Sequence, residues 1–354
     1  MLDLQRVPNG EQRGFPGVLQ ASQTETTELL PLLEEERGEM ATYLVTGGAG
    51  FIGSHMVEEL VRRGEDVRVV DNLATGKTEN LARVSGRIDL QNADICDLEG
   101  IRRHFADTPY VIHLAALPSV VRSVEDPLGA NEVNVTGTLN VLLAARDAGV
   151  KRLVFAASAA AYGDNPTMPR VETLTPDPLS PYALAKVCGE YYCRVFTKIF
   201  GLETVALRFF NIFGPRQNPY SPYTGVLSKF VAAYEQGKTP VIFGDGEQSR
   251  DFTYVANVVD ATLRACTAPG AAGKVINVGV GRSYTLNQTI TVLNGVFGRQ
   301  VKPRYDPPRK GDALHSLADI SLARQALGYE PLVSFEEGLR RTVEWFRAEA
   351  ANAQ

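Results

Sequence analysis

The sequence is poor in the residues that build metal centres and disulfide frameworks. Its four cysteines, Cys96, Cys188, Cys193 and Cys266, include no C-x-x-C pair, and none stands beside a histidine at zinc-ligand spacing. They read as free thiols, buried or half-buried, in a reducing compartment. The four histidines, His55, His104, His113 and His315, are scattered, so neither a metal site nor a Ser-His-Asp arrangement is expected. His113, inside the apolar run from Val111 to Leu117, reads as a satisfied core residue. No apolar run reaches the roughly 18 residues that span a bilayer. Acidic and polar residues interrupt every apolar stretch near the start, which excludes a signal-peptide core there. The net charge is −5, without the strongly basic balance of a nucleic-acid binder. The expectation is a cytoplasmic, soluble protein with no nucleic-acid, membrane or metal partner.

What is present is an ordinary globular composition, 44% hydrophobic and 22% charged over 354 residues, enough to bury a large core without staples. Residues 1–40 stand apart, rich in Pro, Gly, Gln and Glu, and read as a disordered extension. Met40 is a candidate for the natural start. From Ala41 the pattern alternates. Apolar strands are expected at Tyr43–Val45, Val67–Val70, Ile88–Leu90, Tyr110–Leu114, Leu153–Phe155 and Thr204–Phe209. Helices are expected at Phe51–Arg63, Asn131–Ala148 and Ser180–Phe200. Such alternation predicts an α/β fold, a doubly wound parallel sheet of the Rossmann type spanning 41–210. Beyond Asn211, prolines and glycines punctuate shorter elements, with capping-box signatures at Thr285-x-x-Gln288 and Ser334-x-x-Glu337. Residues 211–354 are read as a smaller, mainly substrate-binding lobe, with some segments returning to the first domain.

Two motifs carry chemistry. Thr46-Gly47-Gly48-Ala49-Gly50-Phe51-Ile52-Gly53 joins the first strand to the first helix. Glycines at Gly47, Gly50 and Gly53 permit a tight turn, close approach of a pyrophosphate and close helix packing, while the helix N-terminus offers free N–H groups. Asp71, about twenty residues on at the end of the second strand, suits the ribose hydroxyls of NAD and repels a 2′-phosphate, so NAD is favoured over NADP. Asp71 could instead cap the turn before Asn72. Further along, Tyr182-Ala-Leu-Ala-Lys186 opens a helix that Ser180 can cap, with Pro181 at its first position. Positions i and i+4 share a face, so a lysine ammonium, together with a positive nicotinamide, can favour the phenolate of Tyr182 and make it a general base. Ser158, at the carboxyl end of a strand, can bind the same substrate oxygen.

Gly47, Gly50, Gly53, Asp71, Ser158, Tyr182 and Lys186, in this order and spacing, resemble the extended short-chain dehydrogenase/reductases from about Ala41 to the C-terminus. Asp71-Asn72-Leu73, Asn134-Val-Thr-Gly137-Thr138, Phe209-Phe210-Asn211, Arg250-Asp251-Phe252-x-Tyr254-Val255 and Arg309-Lys-Gly311-Asp312 resemble the UDP-hexose 4-epimerases within that family. The resemblance implies that Phe51, Ile52, Asn72, Asp94, Ile95, Leu114, Ala115, Ala116 and Asn134 lie around the cofactor. It implies that Asn211, Arg250 and Arg309 hold the nucleotide diphosphate, with Ser119, Ser158 and Ser316 on the substrate. It also implies a homodimer packed through the Asn131–Ala148 and Ser180–Phe200 helices.

Family members that dehydrate the sugar carry an Asp-Glu pair directly after the serine, and decarboxylases keep a glutamate there. This chain has Ala159 and Ala160, which cannot transfer protons. The expected reaction is therefore simple 4-epimerisation through a transient 4-keto sugar, with Tyr182 as base. In the epimerases the residue five places after the glycine of R-x-G-D gates the sugar pocket. Here it is Ser316, small enough to admit 2-acetamido sugars, and the Ala115–Ser123 segment resembles the group acting on UDP-N-acetylhexosamines. UDP-GlcNAc/UDP-GalNAc, alongside UDP-glucose/UDP-galactose, are the expected substrates. A UDP-uronate, whose carboxylate could meet Arg122 or Arg216, is the alternative, although uronate epimerases tend to carry threonine at the place of Asn211. Another NAD-dependent nucleotide-sugar enzyme, or an NAD-binding regulator without catalysis, remains a further reading.

Overall fold

The computed structural model describes residues 42–218, 225–308 and 314–352. The leading extension with Met40, and Arg309, Gly311 and Asp312 of the R-x-G-D segment, lie outside the described residues.

Seven short strands build the main sheet: β1 (Thr42–Thr46), β2 (Asp66–Asp71), β3 (Ile88–Asn92), β4 (Tyr110–His113), β5 (Arg152–Ser158), β6 (Glu203–Phe209) and β7 (Val275–Val278). They run in the order β3-β2-β1-β4-β5-β6-β7, and every pairing is parallel. Helices cover both faces, so the inner strands are apolar runs rather than alternating ones. In β5 every residue from Arg152 to Ala157 is buried. Arg152 is tolerated there because Glu203 and the carbonyls of Ala265 and Ala268 take its guanidinium. All carboxyl ends lie along one edge of the sheet, and the strand order reverses between β1 and β4. That reversal opens the crevice in which doubly wound folds bind ligands.

The six expected strands are all present; β7 is an addition. The Val255–Thr267 helix and the Ser321–Leu327 helix also pack on this sheet, and Val258, Ile276, Ala318 and Leu327 share its core. A separate aromatic core lies in the 213–343 region, where Phe252 stacks on Phe335 at 5.1 Å and Tyr284 meets Phe335 at 4.4 Å.

The two long helices differ from their expected form. Where one helix was expected from Asn131, helical backbone already starts at Pro127, passes through a π-turn at Glu132–Thr136 and continues as Gly137–Asp147. Pro181–Val195 ends in a second π-turn, Phe196–Phe200, stopped by Gly201 in the left-handed region. Ser180 caps this helix by accepting the Ala183 N–H at 3.1 Å, with Pro181 in the first turn. Thr285 and Gln288 form the expected reciprocal capping box. At the other signature Ser334 accepts the Glu337 N–H, while the Glu337 carboxylate turns to Arg340 and Arg341. Among the described residues no helix is long and apolar enough to cross a membrane.

Candidate active site

The glycine turn sits at the carboxyl end of β1. Gly47 takes a positive φ of 71°, and a Cβ there would lie 2.7 Å from the Ala115 nitrogen. A Cβ on Gly53 would lie 2.1 Å from the Gly47 carbonyl oxygen. Both glycines are therefore required by the protein's own backbone. Gly50 is different, because its Cβ would meet nothing closer than 3.2 Å. Gly50 is also the N-cap of the Phe51–Arg62 helix and offers no side chain to its first-turn N–H groups. A clear surface above free N–H donors is what a dinucleotide's diphosphate needs, so the turn fits NAD.

Asp71 is buried at the end of β2, and its carboxylate accepts the N–H groups of Ala49 at 2.9 Å and Leu73 at 2.8 Å. It thus caps the turn. A carboxylate has about four acceptor positions, so two remain for ribose hydroxyls. Asn72 donates to the exposed carboxylate of Asp94, and Ile95 is buried against Gly137.

Across the crevice, a buried relay fixes the Leu114–Leu117 segment. Thr138 donates to the Asn134 carbonyl at 2.8 Å, so it must accept from His113 Nε2 at 3.1 Å. His113 Nδ1 is then left to accept from Thr46 Oγ1 at 2.7 Å. Burial, helped by the Lys186 charge, lowers His113 to about 3 and keeps it neutral. It is the satisfied core histidine expected. The Asn134 amide is spent on the backbone of Leu117, accepting its N–H at 2.8 Å and donating to its carbonyl at 3.2 Å. In this fold Asn134 holds the segment in place. Leu114 and Ala115 are tied in turn to Thr46. Ser119 caps the Val120–Glu125 helix by accepting the Arg122 N–H.

Ser158 ends β5 and Tyr182 stands in the first turn of the Pro181–Val195 helix. The Ser158 side chain lies close enough to the Tyr182 phenol to act on its acidity. Burial, the larger effect, pushes the pKa of that phenol up, and Ser158 pulls it down. Lys186 is buried, donates to the Ala156 carbonyl at 2.8 Å and lies 6.0 Å from the centre of the Tyr182 ring, so its charge is partly spent elsewhere. Burial lowers Lys186 itself to about 8. An acidic phenol therefore needs a further positive charge in the crevice, of the kind an oxidised nicotinamide carries.

The 213–343 region contributes the other wall. Asn211, with a positive φ of 28°, donates to the Asp251 carbonyl at 3.1 Å and to Ser316 Oγ at 3.2 Å. Arg250 adjoins them and donates to the carbonyls of Ser249 and Leu314. Asn211, Arg250 and Ser316 are thus brought together, while Arg309 lies outside the described residues. Beside them is a cleft of about 330 Å³ lined by Phe213, Val226, Phe230, Phe243 and Arg250. Sequence reasoning missed the pin beneath it. Asp251 is fully buried and accepts N–H groups from Val280, Gly281 and Ala318, while burial raises its carboxyl to about 6. Arg216 is committed to Glu58 and the Asn80 carbonyl, away from any carboxylate role, and Arg122 is exposed.

Residues 43–279 match the model of the NAD dependent epimerase/dehydratase family. A UDP-glucose 4-epimerase of Mycolicibacterium smegmatis is 41% identical over 310 residues, covering 86% of this chain and 98% of that protein. The crystal structure of a UDP-glucose 4-epimerase from Thermotoga maritima with UDP-glucose is similar at 43% identity and a TM-score of 0.83, covering 87% of this chain and 99% of that one. A UDP-N-acetylglucosamine 4-epimerase from Methanobrevibacter ruminantium, in complex with UDP-N-acetylmuramic acid, is similar at 40% identity and a TM-score of 0.84, covering 88% and 100%.

Proposed function

The chain belongs to the NAD dependent epimerase/dehydratase family, and on that premise we propose that it inverts C4 of UDP-N-acetylglucosamine and UDP-N-acetylgalactosamine, alongside UDP-glucose and UDP-galactose. The observation that carries this reading is the placement of Ser158, at the carboxyl end of β5, beside Tyr182, in the first turn of the neighbouring helix, with Ala159 and Ala160 directly after the serine. A phenol can take one proton and give it back, and these two alanines offer no second acid or base. NAD, when bound, supplies the reversible hydride acceptor that lets a sugar carbon be oxidised and reduced again. Tyr182 removes the C4 hydroxyl proton and returns it. Ser158 orients that oxygen, and Lys186 favours the charged phenol. Arg250, with Asn211, anchors the nucleotide end while the sugar turns.

Ser316 supports the acetylated sugar. Its side chain is small and bonded to Asn211, where a tyrosine would be far bulkier. Incubating the protein with UDP-GlcNAc, UDP-glucose and UDP-glucuronate and separating the products tests both points. The wild type should interconvert the first two with their C4 epimers. Ser316→Tyr should lower turnover of UDP-GlcNAc by about a hundredfold and that of UDP-glucose by less than about threefold, the size of a steric exclusion. Equal losses would remove Ser316 from the gate, and turnover confined to UDP-glucuronate would replace the substrate.

The reading includes a homodimer. Leu184, Cys188, Tyr191 and Val195 recur at helical spacing on one face of Pro181–Val195, and Leu184, Tyr191 and Val195 are exposed. Ile199 is 71% exposed just beyond, and Leu128 is 84% exposed on an adjoining helix. An apolar stripe of this length favours burial against a second copy. Leu184→Glu/Tyr191→Glu should sediment as a monomer where the wild type sediments as a dimer. A wild type that stays monomeric at every concentration tested would remove the dimer.

A further inference from the structure

The Pro181–Val195 helix carries Tyr182, Lys186 and Glu190 at four-residue spacing, so all three face the sheet. Glu190 is buried, and its carboxylate takes a bidentate pair from Arg208 of β6, Nε at 2.8 Å and Nη2 at 2.7 Å. Arg208 is equally buried, and its guanidinium lies 4.6 Å from the centre of the Tyr162 ring. Tyr162 closes the Ala159–Tyr162 turn, whose N-cap is Ser158. Its hydroxyl donates to Asn277 Oδ1 of β7 at 2.7 Å, and Asn277 in turn holds the Arg170 carbonyl at 2.9 Å. One guanidinium therefore touches both the helix that carries Tyr182 and the turn that carries Ser158.

A buried ion pair is a poor device for stability. Desolvating both charges offsets most of their attraction, and apolar residues of similar volume often serve as well. What such a pair supplies is direction, because the guanidinium fork accepts a carboxylate in one plane and presents its flat face to an aromatic ring. We propose that Arg208, held by Glu190 and seated on Tyr162, is a positioning residue that sets the Ser158 hydroxyl against the Tyr182 phenol. The inference rests on the epimerase reading above and adds residues that touch no substrate atom.

The test removes both charges together. Glu190→Leu/Arg208→Met keeps the volume and leaves neither partner unpaired. It is expected to melt at or above the wild-type temperature, to retain its NAD and to keep the KM for the UDP-sugar within about threefold. Its kcat should fall by about a hundredfold, the cost of an ångström-scale misplacement. Amide exchange over Ala159–Gly163 should accelerate, a readout independent of activity. Tyr162→Phe keeps the ring and loses one hydrogen bond, and should cost about tenfold in kcat. It decides by the same criteria if the double variant does not fold. Wild-type kcat with unchanged exchange would overturn the proposal, as would a kcat loss that appears only with lowered melting and lost NAD. A wild type that turns over no UDP-sugar would instead sink the epimerase reading, and the exchange measurement would still decide the positioning.

Discussion

Replacing Tyr182 with phenylalanine is expected to lower turnover of every accepted UDP-sugar by about a thousandfold to ten-thousandfold, the upper range of a single acid–base group. NAD content should remain that of the wild type. The phenol stands beside Ser158 at the crevice. Phenylalanine fills the same space, so the helix, its Ser180 cap and Lys186 should stay where they are. The pH dependence provides a second readout. Burial pushes the phenol up, so below its pKa the reactive phenolate increases tenfold with each unit of pH. Wild-type kcat/KM should climb from mildly acidic solution towards pH 8, where Lys186, lowered to about 8, begins to lose the charge that supports it. The residual rate of the variant should show no such climb. Single-turnover assays of the purified variant across this range decide the matter. A rate within tenfold of wild type, or an unchanged pH profile, would transfer the base role to another group.

The main sheet was legible because parallel strands buried on both faces must be unbroken apolar runs, as Leu153-Val154-Phe155 is. β7 was not, because Val275–Val278 lies beyond Asn211, where prolines and glycines break the regular alternation of strand and helix that marks the other strands. The π-turns at Glu132–Thr136 and Phe196–Phe200 escaped for a related reason: one extra residue per turn leaves the apolar spacing almost unchanged. Local chemistry could be read directly. The Ser180 cap and the Thr285–Gln288 box follow from neighbours in sequence. Charge balance could not, because it is a property of the folded interior. The Tyr182 phenol is expected to be acidic beside Lys186 and a positive nicotinamide; what the sequence does not show is that burial raises its pKa and that Lys186 donates to Ala156. Arg208 and Glu190 meet from β6 and a neighbouring helix, and Asn211 meets Ser316 across 105 residues. No spacing rule reaches that far, so the residues that hold the site in shape are the ones a linear reading passes over.

The same logic ranks the glycines of the cofactor turn and makes Gly53→Ala a more damaging change than Gly48→Ala or Gly50→Ala. Its Cβ would lie 2.1 Å from the Gly47 oxygen and 2.7 Å from Gly48 Cα, all backbone, so the turn itself must move. It has little freedom to do so. Gly47 N–H is bonded to the Val70 carbonyl at 2.8 Å, Ala49 N–H to Asp71 at 2.9 Å, and the Gly47 oxygen already accepts the Gly50 N–H at 3.1 Å. Relief breaks several of these bonds together, a loss of about 3 kcal/mol or more. The variant should purify without NAD, melt well below the wild type and lack measurable activity. Gly48→Ala should be milder, because its Cβ would meet methyl groups of the buried Val69 and Val57 rather than backbone, an overpacking that leaves the turn's hydrogen bonds in place. Gly50→Ala separates the two roles of the motif. Its φ of −77° suits alanine, and its Cβ would lie 3.2 Å from the Gly47 oxygen, a tight contact relieved by a shift of a few tenths of an ångström, so folding should suffer far less than in Gly53→Ala. The methyl group would also occupy the space above the helix N-terminus. Gly50→Ala should therefore melt only slightly below the wild type in the absence of NAD and bind NAD at least tenfold more weakly, about 1.4 kcal/mol. Calorimetric titration with NAD and thermal melts on the three variants give the comparison. If Gly50→Ala bound NAD like the wild type, the open surface over the helix would not be where the diphosphate rests.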